Sequence, residues 1–141
     1  MNFVYNDGGR AAAGYKGQTG DCVTRSISIA TGLSYEEIYS KINLIAEGER
    51  PRGNKKRSNA RSGVKKYTYR KLLSDLGWEW TPTMTVGSGC KVHLKADELP
   101  AGTLIVAVSK HLTVVKDGVI YDTHDCSRNG TRCVYGYWSQ P

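Results

Sequence analysis

An α+β domain, with N-terminal helices packed on a C-terminal antiparallel β-sheet, is the fold this sequence predicts. Two observations carry it. Between Cys22 and Leu76 apolar residues recur at three- and four-residue spacing, with cap and stop signals at the segment ends. From Thr103 onward the chain shows short runs of Val, Ile, Leu and Thr instead, two of them joined by Asp117-Gly118, a dipeptide favoured in two-residue hairpin turns. The length of 141 residues predicts a single domain over 1–141, and a hydrophobic fraction of 39% supports a modest core. No apolar run approaches the roughly 18 residues that a membrane span needs, so no membrane association is expected.

Taken in order, residues 1–20 read as an irregular arm, because Asp7-Gly8-Gly9, Gly14, Gly17 and Gly20 punctuate it. A first helix is predicted from about Cys22 to Thr31, with Val23, Ile27 and Ala30 on one face and Gly32 as its stop. Ser34-Tyr35-Glu36-Glu37 fits a capping box and opens a second helix, whose apolar face is Ile38, Ile42 and Ile45. Glu36 and Glu37 are read as first-turn charges that complement the helix dipole, not as an acid/base pair. Residues 47–66 form a basic connection bearing Gly, Ser, Asn and Pro, expected to be mobile or ordered only by a partner. A third helix, about Thr68 to Leu76, ends at Gly77. Trp78 and Trp80 follow two residues apart, so both can face one side of a strand, as core or as a substrate platform. Strands are predicted over 103–108, 111–115, 119–123 and 133–138.

The net charge is +7, and most of the excess is local. Arg50, Arg52, Lys55, Lys56, Arg57, Arg61, Lys65, Lys66, Arg70 and Lys71 share one segment without an acid. Such a block can meet nucleic-acid phosphates or an acidic protein surface; it can equally be a solvated loop. Of the four cysteines, Cys126 and Cys133 read as half-buried thiols in a loop. The N-terminus lacks the basic-then-apolar pattern of a signal peptide, which argues against a disulfide framework and for a cytosolic setting. His124, Cys126 and Cys133 do not match a familiar zinc spacing, and neither a metal nor another cofactor is expected.

The residues that point to chemistry are Cys22 and His111. A polar, glycine-bearing loop delivers Cys22 to a helix start, where the dipole favours thiolate. His111 enters a strand. If Asp117-Gly118 is a two-residue turn, Val115 faces Ile120, Thr113 faces Asp122 and His111 faces His124, all on one side of the sheet. Asp122 then lies diagonal to His111, within reach to fix the imidazole tautomer, while Asp125 is held in reserve on the opposite face. The Cys22 backbone N–H, with Gln18 or Thr19, would meet an oxyanion.

The stretch Gly20-Asp21-Cys22-Val23-Thr24-Arg25-Ser26-Ile27 resembles the nucleophile helix of papain-like cysteine peptidases, above all ovarian-tumour-type deubiquitinases. His111 and Val119-Ile120-Tyr121-Asp122 are similar to the His and Asp strands of papain-like and bacteriocin-leader peptidases. Tyr5-Asn6-Asp7-Gly8-Gly9-Arg10, Ile29-Ala30-Thr31-Gly32 and Leu76-Gly77-Trp78 resemble stretches of a group of small bacteriophage proteins, mostly uncharacterised. The resemblance implies a papain-like fold, with Cys22 as nucleophile, His111 as general base and acid, and Asp122 as orienter. It also implies a phage origin, with the host cytoplasm or the virion as setting.

Two function classes follow. One is a cysteine hydrolase cleaving an amide or isopeptide bond of a protein or peptide, with Gln18 assisting and Trp78 and Trp80 contacting substrate. The other is a non-catalytic host-interaction or anti-defence protein. It would bind a host protein through Lys55, Lys56, Arg57, Arg61, Lys65 and Lys66, or, less favoured, nucleic acid.

Overall fold

The computed structural model describes residues 1–16, 20–50 and 56–141. The class is α+β. In chain order the elements are β1 (Asn2–Tyr5), α1 (Cys22–Thr31), α2 (Tyr35–Glu47), α3 (Lys66–Asp75), β2 (Glu79–Pro82), β3 (Thr103–Val108), β4 (His111–Lys116), β5 (Val119–Asp122) and β6 (Gly136–Ser139). The six strands form one sheet in the order β1-β5-β4-β3-β6-β2.

The sheet is mixed rather than antiparallel, because β1 runs parallel to β5, with Asn2 opposite Val119 and Tyr5 opposite Asp122. The expected irregular arm therefore begins with a strand. All four β1 side chains are exposed, so backbone pairing at the sheet edge holds it and no period-two burial pattern marks it in the sequence. Just beyond, the Asn6 N–H donates to the Asp122 carbonyl at 2.8 Å.

α1 keeps the expected bounds and stops at Gly32, in the left-handed region at φ +78°. Its polar residues are buried along with its apolar ones, and each hydroxyl is used. Thr24 donates to the Ala60 carbonyl at 2.6 Å, Ser26 to the Leu112 carbonyl at 3.0 Å and Ser28 to the Gly8 carbonyl at 2.9 Å. These bonds fasten α1 to the basic connection, to β4 and to the N-terminal arm. α2 opens as expected, with Ser34 Oγ accepting from the Glu37 N–H at 3.1 Å. Ile38 and Ile42 are fully buried beneath it.

Within the basic connection, expected to be mobile or ordered only by a partner, residues 58–65 are anchored before α3, and 51–55 lie outside the described residues. Glu49 accepts from the Ser58 N–H at 2.7 Å and from the Thr68 hydroxyl, and lies 3.5 Å from Lys65 Nζ. Asn43 accepts from the Ala60 N–H at 2.9 Å, and Ala60 is fully buried. Burial opposes ionisation of Glu49, but the Ser58 and Thr68 hydrogen bonds and the Lys65 charge outweigh it and hold the carboxyl at about 2, against 4.5 normally. A depressed carboxyl pKa stabilises the fold above its unfolded value, and the gain is lost as pH falls through the folded value. The melting-temperature advantage of wild type over Glu49→Gln is therefore expected to be full at pH 6 and to shrink between pH 4.5 and 2. A difference constant over that range in calorimetric scans would remove this role from Glu49.

The β4–β5 hairpin forms on Asp117 and Gly118, at φ +47° and +79°, the signs of a type I′ turn. Val115 faces Ile120, in the register the turn requires. Helices cover one face of the sheet, burying Ile105, Ala107, Leu112 and Trp138 with Val23, Ile27, Ile38, Leu73 and Trp78. The opposite face buries Leu104, Val106, Val115 and Ile120 against Leu94, Cys126 and Val134. Trp78, 4% exposed, belongs to the helix-side core and cannot be a substrate platform.

Cys133 is not a free thiol: it forms a disulfide with Cys90, Cα–Cα 5.8 Å. Their separation of 43 residues gives no sequence signal, and the bond fastens two loops already paired through His93 and Cys133. Cys126 remains free and buried. Among the described residues no helix is long and apolar enough to cross a membrane.

Candidate active site

The start of α1 meets the start of β4 and the end of β5, and this junction gathers Cys22, His111 and Asp122. Cys22 is the first residue of α1, half-buried, and lines one cleft with His111. His111 Nε2 lies 2.7 Å from Asp122 Oδ2. With Nε2 bound to the carboxylate, Nδ1 is the ring nitrogen left for a proton exchanged with the thiol. The hairpin geometry anticipated the diagonal relation of His111 and Asp122. It also anticipated Thr113, whose hydroxyl donates to Asp122 Oδ2 at 2.7 Å, and His124, whose ring centroid is 5.2 Å from that of His111. Asp125 is exposed and accepts from Ser127 N–H and Oγ, so it closes a local turn and plays no part here.

Behind the three lies a buried charge relay that the sequence reading did not assemble. Arg25 Nη1 donates to Asp122 Oδ1 at 2.7 Å, and Arg25 Nε to Asp21 Oδ1 at 2.9 Å. Arg10 Nη1 reaches the same Asp21 oxygen at 3.0 Å, and the Tyr35 hydroxyl donates to Asp21 Oδ2 at 2.7 Å. Arg10, Asp21, Arg25 and Asp122 are all at most 6% exposed. Asp21 stands at the N-cap of α1 yet makes no cap hydrogen bond, because its carboxylate serves the arginines and Tyr35. One signal was on the page: Asp21 and Arg25 are four apart across a helix start, the spacing of a same-face ion pair.

The electrostatics favour an ion pair between thiol and ring. Burial pushes the Cys22 thiol up, but the His111 hydrogen bond and charge, the Leu112 backbone and Arg25 outweigh it and bring it below its ordinary value. Burial pulls the His111 pKa down, and its hydrogen bonds to Asp122, Cys126 and Cys22 more than reverse this, raising it well above an ordinary imidazole. Asp122 is held far below the usual carboxylate range: burial opposes this, and His111, Thr113 and the Thr123 N–H prevail. With Cys22 as thiolate and His111 as imidazolium, the cations Arg10, Arg25 and His111 balance the anions Asp21, Asp122 and Cys22.

The thiol opens into a cleft of about 490 Å³. Its walls include Tyr69 and Lys66 of α3, Trp80 of β2, Lys110 and Tyr135. Trp80 is the member of the tryptophan pair that reaches the cleft. It packs on Trp138 at 5.3 Å between centroids, and Arg70 lies 5.5 Å above its ring. Gly136 supports it from below, since a Cβ there would stand 2.5 Å from the indole. Gly20 makes a similar close approach: a Cβ would lie 2.5 Å from the Ser62 carbonyl, so the loop before the thiol packs directly on the anchored connection.

His111, Asp122 and Cys126 place donor atoms within 4.8 Å of one another, a grouping with the chemistry to ligate a cation. Asp122 Oδ2, however, already accepts from His111 and Thr113, and Arg25 stands 2.7 Å from Oδ1, so a second cation would face an arginine. The donor set fits a relay better than a metal. Of the basic residues singled out by sequence, Lys56, Arg57 and Lys66 are exposed. Lys65 pairs with Glu49, and Arg61 donates to the Lys16 carbonyl and lies 5.3 Å over the Tyr15 ring. Gln18 and Lys55 fall outside the described residues.

Comparison of the chain with protein-family models, with curated proteins and with solved structures returns no match, which leaves the geometry of this junction to support a function.

Proposed function

We propose that the protein is a phage-type papain-like cysteine hydrolase acting on an amide or isopeptide bond of a protein or peptide, as the resemblance to papain-like cysteine peptidases implies. The observation that carries this reading is that the His111 imidazole, bonded to a buried carboxylate, lines one cleft with the helix-start cysteine Cys22. The Cys22 thiolate attacks the carbonyl carbon, and the charge that develops on oxygen is met by backbone N–H groups at the α1 start. His111 gives its proton to the departing amine, leaving a thioester on Cys22. Water, deprotonated by His111, then attacks the thioester and releases the acid and the thiolate. Asp122 keeps Nε2 engaged, and Arg25 keeps Asp122 in place.

Iodoacetamide at neutral pH tests the reading. Cys22 in the folded protein is expected to be carboxamidomethylated at least tenfold faster than a free thiol, and Cys22→Ala to lose all labelling of the peptide that carries it. A folded protein whose Cys22 is inert at pH 7 would sink the hydrolase.

A non-catalytic host-binding role has one observation in its favour: Lys56, Arg57 and, in α3, Tyr67 are exposed. Full biological effect in the Cys22→Ala variant would select it.

A further inference from the structure

We infer that the cleft selects an acidic polypeptide segment, through Lys66 and Lys110, which line it together with Cys22. The inference rests on the hydrolase reading for its chemistry but not for its charge preference. Both lysines line the cleft, and among the described residues no acidic side chain does. One comes from the first turn of α3 and the other from the turn between β3 and β4, immediately before His111.

Each lysine sits where local structure disfavours it. α3 starts with Lys65 at its N-cap, Lys66 next, and no acid in its first turn, although the positive end of a helix dipole repels cations. Lys65 is compensated by Glu49; among the described residues Lys66 has no acidic partner within ion-pair distance. Lys110 adopts φ +56°, the left-handed region that side chains other than Gly, Asn and Asp rarely enter. It too lacks an acidic partner there. Residues that break local rules without a compensating contact mark functional positions. Here both violations add positive charge to one cleft.

The cleft is otherwise lined by apolar and aromatic residues, among them Tyr69, Trp80, Val108 and Leu112. That combination suits a polypeptide with an apolar residue seated on Trp80 and carboxylates on either side. An anionic strand of nucleic acid would share the cations, but Trp80 is packed tilted on Trp138 and close against Gly136, and no second tryptophan lines the cleft among the described residues to extend a stacking platform.

The test reads binding on the full-length Cys22→Ala protein, so catalysis is not required. Two fluorescein-labelled peptide pools share a central Leu or Phe and differ only in flanking residues, glutamate in one and lysine in the other. At 50 mM salt the glutamate pool should bind at least tenfold tighter by fluorescence anisotropy. The preference should fade toward unity at 500 mM, where screening shortens to about 4 Å. Lys66→Glu with Lys110→Glu should invert the preference, a gain that unfolding cannot produce, while Lys56→Glu with Arg57→Glu should leave it unchanged. Equal binding of the two pools, or a preference that follows Lys56 and Arg57, overturns the inference. A labelled single-stranded oligonucleotide that binds tighter than the glutamate pool and depends on Lys66 and Lys110 also overturns it, by assigning the cleft to phosphate. Failure of the hydrolase reading registers elsewhere, as an inert Cys22.

Discussion

His111→Ala is expected to slow carboxamidomethylation of Cys22 at pH 7 by about a hundredfold. An isolated thiol is only a few per cent thiolate at that pH, and a buried one is less so. In the wild type the His111 hydrogen bond and charge are the largest influences that lower the thiol against burial. Their removal leaves burial as the dominant cause, so the thiol moves from below its ordinary value to above it. The pH dependence of thiolate absorbance near 240 nm reads this directly. The wild-type transition is expected on the acid side of 9.0, and that of the variant shifted to higher pH. His111→Gln keeps the volume of the ring and should behave like alanine in this titration, which separates the charge from packing. Transitions that coincide in wild type and both variants would remove His111 as the partner of the thiol.

Arg25→Met is expected to carry the largest stability cost of any single change in the relay. It leaves Asp21 and Asp122 buried with one cation fewer between them. Breaking a buried pair on one side costs about 3–5 kcal/mol, which for a chain of this size lowers the melting temperature by roughly 10–15 °C. Asp21→Asn in the same chain should recover part of that loss, because it removes one of the two stranded carboxylates. Calorimetry of the single and double variants decides the matter. A single variant melting within 3 °C of wild type would mean that water, not Arg25, compensates the two acids. Function gives a second readout. Arg25→Met should slow alkylation of Cys22 less than His111→Ala does, since Asp122 still bonds to His111 through Oδ2 and keeps the Thr123 N–H on Oδ1, losing only the Arg25 bond there.

What was legible in the sequence was local. Ser34 with Glu37, Gly32, and Asp117-Gly118 each encode their conformation within four residues, and each forms as expected. The hairpin register then placed Asp122 beside His111, because a two-residue turn leaves no freedom in which residues face each other. The features that escaped are non-local. β1 pairs through its backbone with a strand at the other end of the sequence, and exposed side chains give it no pattern. Cys90 and Cys133 meet through loop packing. Trp78 and Trp80 look equivalent by spacing, yet one fills the core and the other walls the cleft; only the position of Trp138 and Gly136 decides between them. Arg10 gave no signal, since nothing near residue 10 foretells that it will end beneath the helix that starts at Cys22.

The pairing of β1 with β5 sets an order of events during synthesis. Cys22 leaves the ribosome early, but the strand carrying Asp122 emerges only after most of the chain. Until then Asn2 to Tyr5 have no partner strand, Arg25 lacks its second carboxylate, and no imidazole stands beside the thiol. A nascent chain thus lacks the partners that lower the pKa of Cys22. Closing so long a loop is entropically costly, so the pairing of β1 and the gathering of Cys22, His111 and Asp122 both wait on the C-terminal strands.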